Sequence, residues 1–144
     1  MTEFASIYDK FLSRIEDYGY AQMSEEDLNA HLRRYLSSAI AKFKYVCRKD
    51  LELTSHSGFL ETLDEMEEEI LASWMLVEHI EGNMVTEENM RNFLNSRDYR
   101  QYSSANLLKV LQDTRQSFFL EAQSSMNTYD FQNFKRDWKK DNGK

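Results

Sequence analysis

The chain contains no proline and only four glycines among its 144 residues, while 30% of its residues are charged. Glycine and proline dominate turns, so a fold built from many short strands would need more of both. These absences therefore favour an all-α domain of long helices joined by short loops. A single domain of this length can bury roughly 70% of its unfolded surface without the help of disulfides or structural metal ions.

The chain also has only one cysteine, Cys47, and no long apolar run. A lone cysteine cannot form an internal disulfide, and its place on the apolar side of a predicted helix favours a buried free thiol over a reactive one. This cysteine usage suits a reducing cytoplasm. No segment reaches the roughly 20 apolar residues that span a bilayer, and the N-terminus lacks the features of a signal peptide. We therefore expect neither membrane insertion nor export by these routes.

Motifs for catalysis, cofactors and metals are missing as well. His31, His56 and His79 lie on separate predicted elements without a zinc spacing, and no glycine-rich phosphate loop or nucleophile elbow occurs. Glu78 and His79 are adjacent, but no nucleophile is evident beside them, so a structural pair or the solvent edge of a helix is the simpler interpretation. The acidic run 64–69 fits a helix N-terminus better than a calcium loop. We expect no enzyme, no cofactor and no metal site.

The most apolar stretch, residues 69–80, predicts a central helix. Thr62 and Glu65 have the spacing of a capping box, and Gly82 stands where a left-handed C-terminal cap would, so we expect the helix to run over 63–81. Its apolar side chains occupy more than one face, which requires other helices on at least two sides. They are Ile70, Leu71, Trp74, Met75, Leu76, Val77 and Ile80.

Two helices are predicted before the central one. Thr2 can cap a first helix that ends near residue 18, and Ser24 begins a second helix that continues to about residue 47. Periodicity lapses over 50–61, where the composition indicates a loop and the most mobile insertion of the chain.

Two further helices are predicted after it. Thr86 caps a short fourth helix, and a last long helix starts at Ser103 or Ser104 and ends at about residue 127. Its outer face carries uncharged polar groups where a solvated helix usually has more Lys and Glu, which indicates contact with another subunit, with an ordinary solvated face as the alternative. The predicted subunit-interface residues are Gln112, Gln116 and Gln123.

The sequence thus predicts a bundle of about five helices, three or four of them long, over residues 1–127, followed by an extended tail over 128–144. The four aromatic residues of the tail do not share one helical stripe, and terminal segments are poorly ordered unless something holds them. Either the tail folds back on its own bundle, or it is an arm that orders on a partner through aromatic anchors and basic groups. The candidate partner-binding residues are Tyr129, Phe131, Phe134, Lys135, Arg136 and Trp138.

Four short sequence motifs resemble those of a known protein family. They are Ser-Ala-Ile-Ala-Lys-Phe at 38–43, Cys-Arg-Lys-Asp-Leu at 47–51, Glu-Ile-Leu-Ala at 69–72 and Tyr-Ser-Ser-Ala-Asn-Leu-Leu-Lys at 102–109. Together with the order of elements, they make residues 4–131 resemble the head–tail connector proteins, also called adaptor or neck proteins, of tailed phages of Gram-positive bacteria.

This resemblance implies a helical virion subunit, assembled in the host cytoplasm, that forms a ring below the portal protein. Such rings are usually twelve-fold, extend the DNA channel and present a platform to the next neck or tail component. The resemblance also implies a C-terminal arm that reaches the portal, a role that would fall on 129–138. A net charge of −7 suits a channel through which DNA passes only as transient cargo. The alternative is a small acidic helical regulator that inhibits a host or phage enzyme, with 65–69 as a decoy for a basic site.

Overall fold

The computed structural model describes residues 1–15, 20, 23–93 and 98–142, and of 83–93 and 98–108 it describes the backbone alone. These residues are mostly helical, as predicted. The helices are α1 (Phe4–Leu12), α2 (Glu25–Phe43), α3 (Glu65–Phe93) and α4 (Asp98–Asp141), and the strands are β1 (Thr2–Glu3) and β2 (Gly58–Phe59). The described ranges therefore hold four helices in place of the expected five or so.

Helix α3 is the centre of the fold, because α1, α2 and α4 all pack against it. Every side chain from residue 70 to 77 is buried. Trp74 is 2% exposed, and its ring meets Phe119 of α4 edge to face at 5.4 Å between centroids. The Lys42 ammonium of α2 lies 4.8 Å from the centroid of the same ring. The prediction of a central helix covered on at least two sides is confirmed.

The start of α3 lies at a different capping box from the predicted one. Asp64 Oδ1 accepts a hydrogen bond from the Glu67 backbone N–H at 2.8 Å, and Glu67 Oε1 accepts one from the Asp64 N–H at 2.9 Å. This pair has the same three-residue spacing as Thr62 and Glu65, so the sequence offered two overlapping boxes. The Thr62 hydroxyl instead accepts a hydrogen bond from the N-terminal ammonium of Met1 at 2.7 Å.

The predicted end of α3 at residue 81 is wrong, since the helix passes through Gly82 to Phe93. No glycine in the described ranges has a positive φ, so Gly82 does not form a left-handed cap. A glycine inside a helix costs only about 1 kcal/mol relative to alanine, which the packing of a central helix can offset. The separate helix predicted to begin at Thr86 is part of α3. The predicted cap by the Thr86 side chain lies outside the described side chains.

The N-terminus forms a strand where a helix cap was predicted. Strand β1 pairs antiparallel with β2, so that Thr2 lies opposite Phe59 and Glu3 opposite Gly58. The Thr2 hydroxyl accepts a hydrogen bond from the Leu63 N–H at 2.8 Å, which ties the N-terminus to the start of α3. A Cβ at residue 58 would collide with the Thr2 backbone, so the close pairing requires glycine there.

The segment 50–61 is more ordered than its polar composition indicated. It contributes β2, and both Leu51 and Phe59 are buried in the core. Helix α1 ends at Leu12, before the predicted end near residue 18, and residues 16–19 lie outside the described ranges. Helix α2 begins as predicted, because the Ser24 hydroxyl accepts a hydrogen bond from the Asp27 N–H at 3.2 Å, but it ends at Phe43.

Helix α4 is longer than predicted at both ends. It begins at Asp98, before Ser103, and crosses residue 127 without a break to reach Asp141. Ala122, Met126 and Tyr129 are buried at spacings of four and three, so the core-facing side of the helix continues past the predicted end. The expectation of an extended tail is therefore wrong for residues 128–141, which are helical.

Candidate partner-binding surface

The last turns of α4 carry three exposed aromatic side chains. Phe131 is 63% exposed, Phe134 65% and Trp138 56%. Their spacing of three and four residues places them on one side of the helix, and we call them the aromatic stripe. The sequence concealed this alignment, because Tyr129 was counted with them although it points to the opposite side.

Leu120 extends the same side of the helix toward the N-terminus of α4, three turns before Phe131. It is 55% exposed. Ser124 and Asn127 lie between them and are polar and exposed. Exposed apolar side chains are normal one at a time, whereas several aligned on one helix face mark an interaction surface. Large aromatics also supply most binding energy at protein interfaces, so the stripe is the strongest candidate for partner binding in the described chain.

Charged residues border the stripe. Lys135 lies on one side of it and Asp130 and Asp137 on the other, and all three are exposed. Asp137 also accepts a hydrogen bond from Arg48 of the α2–α3 connection at 2.9 Å. Both partners of that bridge are about half exposed, so it contributes little to stability, but it links the end of α4 to the rest of the protein.

Tyr129 lies in the core of the chain itself, which decides between the two interpretations of this residue. It is 4% exposed, and its ring packs edge to face on Phe43 with centroids 5.2 Å apart. Its hydroxyl donates to Glu67 Oε2 at 2.5 Å and accepts from the Arg48 backbone N–H at 3.0 Å. Tyr129 therefore fixes α4 to the core, and it is not accessible to a partner in this conformation.

Buried Glu67 is the acceptor at the centre of a polar cluster, which we call the Glu67 cluster. Its members are Glu67, Tyr129, Lys49 and Cys47. The Glu67 carboxylate also accepts from Lys49 Nζ at 3.0 Å and from Cys47 Sγ at 3.4 Å. Burial acts to raise its pKa, but the hydrogen bonds from Tyr129, the Asp64 N–H and Lys49 outweigh burial and hold the pKa below its ordinary value.

The same surroundings make the Cys47 thiol and the Tyr129 hydroxyl of the Glu67 cluster unreactive. Burial, together with the nearby Glu67 carboxylate, raises the pKa of the Cys47 thiol to about 12. Burial and the hydrogen bond to Glu67 also raise the pKa of the Tyr129 hydroxyl. Both groups therefore stay protonated near neutral pH, and a protonated thiol is a poor nucleophile. The cluster acts as a structural fastening for α4.

Acid should weaken the interactions by which the Glu67 cluster holds α4 against the core. Because the pKa of folded Glu67 lies below its ordinary value of 4.5, its contribution to stability is present above pH 4.5 and is lost as the pH falls through the folded value. We expect Glu67→Gln to melt below wild type at pH 7, with the difference shrinking as the pH is lowered from 5 to 3. Thermal melts followed by circular dichroism at stepped pH check this. A difference that stays constant over that range would show that folding does not shift the pKa of Glu67.

An open cleft of about 510 Å³ borders the Glu67 cluster. Its lining is polar and of mixed charge, and includes Arg48, Asn133, Arg136, Asp137 and Lys140. The Asn133 amide nitrogen is buried there without a hydrogen-bond partner among the described residues. Of the predicted partner-binding residues, Lys135 and Arg136 are exposed on α4, and Arg136 faces this cleft.

The predicted interface glutamines lie beside the aromatic side of α4. Gln112 and Gln116 are exposed, and Gln123 is half-buried. Gln123 Nε2 donates to Asn127 Oδ1 at 3.2 Å within the same helix. Gln116 precedes Leu120 by four residues, so the polar positions adjoin the exposed apolar ones along the helix.

Two of the three histidines contact the same tyrosine, which the sequence did not indicate. The Tyr20 hydroxyl lies 3.0 Å from His31 Nε2 and 3.1 Å from His79 Nδ1. The residue before His79, Glu78, instead accepts from Lys42 at 3.0 Å. Glu78 and His79 therefore have different partners. No group of three or more metal-ligating side chains is placed to hold an ion within the described ranges.

Comparisons with protein-family models, with curated proteins and with solved structures each found no match. Within the part of the chain that the structure describes, no helix has the length and apolar character needed to cross a membrane.

Proposed function

We propose that this chain is a structural subunit of a head–tail connector, and that the aromatic stripe is its docking surface for the portal protein. The observation that carries the proposal is the exposure of Phe131, Phe134 and Trp138 on one side of a helix whose opposite side is fixed into the core. Three large aromatics are costly to leave in water, since each contributes roughly 1.5–3 kcal/mol when buried.

The stripe supplies the anchors, and Lys135 at its edge pairs with acidic groups of the portal. Arg136 faces the cleft on the other side of α4 and lies outside this docking surface. Tyr129 holds the helix that presents the stripe. Gln112, Gln116 and Gln123 face a neighbouring copy in a ring, usually twelve-fold. The ring belongs to the virion, is assembled in the host cytoplasm, passes DNA as transient cargo and joins the next neck or tail component.

The rival function, an acidic inhibitor of an enzyme, loses support from the same structure. A decoy for a basic site needs free carboxylates, but Glu67 is fully buried in its cluster. Glu69 pairs with Arg14 and with Lys10, the latter at 3.4 Å. Glu68 accepts a hydrogen bond from Ser6 at 2.6 Å. Most of the acidic run is therefore engaged within the chain, which favours the structural role.

Co-expression with the portal protein encoded in the same genome tests the proposal. We expect wild-type chain to co-purify with the portal, and Phe134→Ala combined with Trp138→Ala to abolish co-purification, because two anchors are lost. Leu60→Ala is the matched control, since Leu60 is 54% exposed but lies outside α4. All variants should keep the wild-type melting temperature. Undiminished portal binding by the double variant would refute the stripe as the docking surface.

A further inference from the structure

The aromatic stripe has opposite charges along its two edges. Asp130 precedes Phe131 and Asp137 precedes Trp138, which places both carboxylates on one edge. Lys135 follows Phe134 and lies on the other edge. All these side chains are exposed, so residues 130–138 of α4 present an apolar seam between an acidic and a basic edge.

This arrangement follows the seven-residue repeat of a coiled coil. Phe131 and Trp138 occupy the a positions of this repeat and Phe134 occupies a d position. Leu120 occupies the d position two repeats before Phe134. In a parallel pair of such helices, the residue just before an a position (position g) faces the residue five places later (position e) on the partner helix. Asp130 of one copy would therefore face Lys135 of the other, twice in a symmetric pair.

The antiparallel alternative brings like charges together. In that orientation, edge residues meet the same edge of the partner, so Asp130 would face carboxylates and Lys135 would face Lys135. Like charges across such a seam are destabilising. The charges along the two edges thus favour a parallel partner with this same pattern, which a second copy of this chain supplies.

We infer that, in the free protein, the aromatic stripe is covered by the stripe of a second copy packed in parallel. The core-facing side chains Ala122, Met126 and Tyr129 lie on the opposite side of α4, so the two bundles stand on the outside of the pair and do not collide. A two-fold axis along the helices relates identical surfaces and closes the assembly at two copies.

The interface between the two copies is small enough for the pair to dissociate. Aromatic side chains bury about 150–250 Å² each when fully covered, so three of them fall short of the roughly 800 Å² per partner of a standard interface. This inference rests on the proposed function in one respect: the portal later occupies the same stripe, so the pair masks the docking surface until the portal displaces it.

Sedimentation velocity over a concentration series tests the pair in the absence of portal. We expect a concentration-dependent dimer, a dissociation constant at least about tenfold weaker for Trp138→Ala, and no change for Leu60→Ala. Protein that stays monomeric at every concentration, or a dimer that Trp138→Ala leaves intact, overturns the inference.

A charge exchange tests the orientation. Asp130→Lys places two lysines opposite each other in the parallel pair and should weaken the dimer roughly threefold to tenfold, while Asp130→Lys combined with Lys135→Asp restores the pairing and the affinity. An antiparallel pair gains nothing from the double exchange, so failure of the rescue overturns the parallel arrangement.

Cross-linking gives a second measure of orientation. In a Cys47→Ala background, Asp141→Cys lies at the end of the seam and should form an intermolecular disulfide under mild oxidation only in a parallel pair. Gln132→Cys, which is exposed but off the seam, is the control and should not cross-link. Efficient cross-linking at 132 with none at 141 would contradict the inference.

The portal assay separates the two proposals. Free protein that is monomeric while the stripe variants lose portal binding rejects the pair and leaves the connector function standing. A parallel dimer that never binds the portal supports the pair and rejects the connector function.

Discussion

Trp74→Ala is expected to lower the free energy of unfolding by about 3–5 kcal/mol, the range for truncating a large aromatic in a packed core. Trp74 sits where α2, α3 and α4 meet, with Phe119 at its edge and Lys42 over its face. Its indole N–H is buried without a hydrogen-bond partner among the described residues. The loss is therefore one of packing, with no hydrogen bond to add to it.

Urea unfolding followed by far-ultraviolet circular dichroism measures this change. Trp74→Phe is a useful intermediate, because it keeps an aromatic ring and removes the unpartnered N–H, so it should cost clearly less than the alanine variant. Trp138→Ala is the matched control for losing an exposed tryptophan, and it should be close to neutral in dilute monomer. A near-zero effect of Trp74→Ala would reject the packing of α3 described above.

Truncation after Asn127 should lower the melting temperature by several degrees. An arm outside the bundle, one of the two interpretations that the sequence leaves open, could be removed without changing the melting temperature. In the structure, truncation removes Tyr129 from its place against Phe43 and leaves Glu67 without one of its donors. A domain of this size loses roughly 2–4 °C per kcal/mol, so the loss of one buried aromatic is readily detected.

Truncation after Asn133 is the control for this experiment. It keeps Tyr129 and removes Phe134 and Trp138, which are exposed in the chain. We expect it to melt close to wild type while losing portal binding and self-association. Equal melting temperatures for the two truncations would show that Tyr129 does not fasten α4 to the core.

Apolar periodicity predicted the helices better than their ends. The run 69–80 was apolar on several faces, which indicated a central helix, and Ser24 marked the start of α2. The predicted helix ends were wrong where one sequence signal had two interpretations. Thr62 with Glu65 and Asp64 with Glu67 both fit a capping box, and Gly82 fits either a cap or a helix interior.

The tail shows a pattern that was present in the sequence but misassigned. Ala122, Met126, Tyr129 and Asn133 recur at spacings of four, three and four, which continues the core-facing side of α4 beyond residue 127. Because Tyr129 was grouped with the other three aromatics, neither the core-facing side of α4 nor the aromatic stripe on its opposite side was recognised. Once Tyr129 is removed from this group, the three remaining aromatics are the candidate binding residues, and Tyr129 is a core residue.

Contacts between distant parts of the chain could not be predicted from local patterns. The Tyr129 hydroxyl meets Glu67 across 62 positions, and the Tyr20 hydroxyl meets His79 across 59. Periodicity assigns a residue to a face of its own helix, but it does not say which residue of another helix lies opposite. The Glu67 cluster therefore became visible only in the folded chain.

We propose that this chain joins head to tail by docking its aromatic stripe on the portal. Electron cryomicroscopy of purified tailed particles assembled with the chain would locate both surfaces. We expect a ring of copies immediately below the portal, with Phe131, Phe134 and Trp138 against portal density. Particles with a complete neck in which this chain is absent, or a ring in which the three aromatics face solvent, would contradict it.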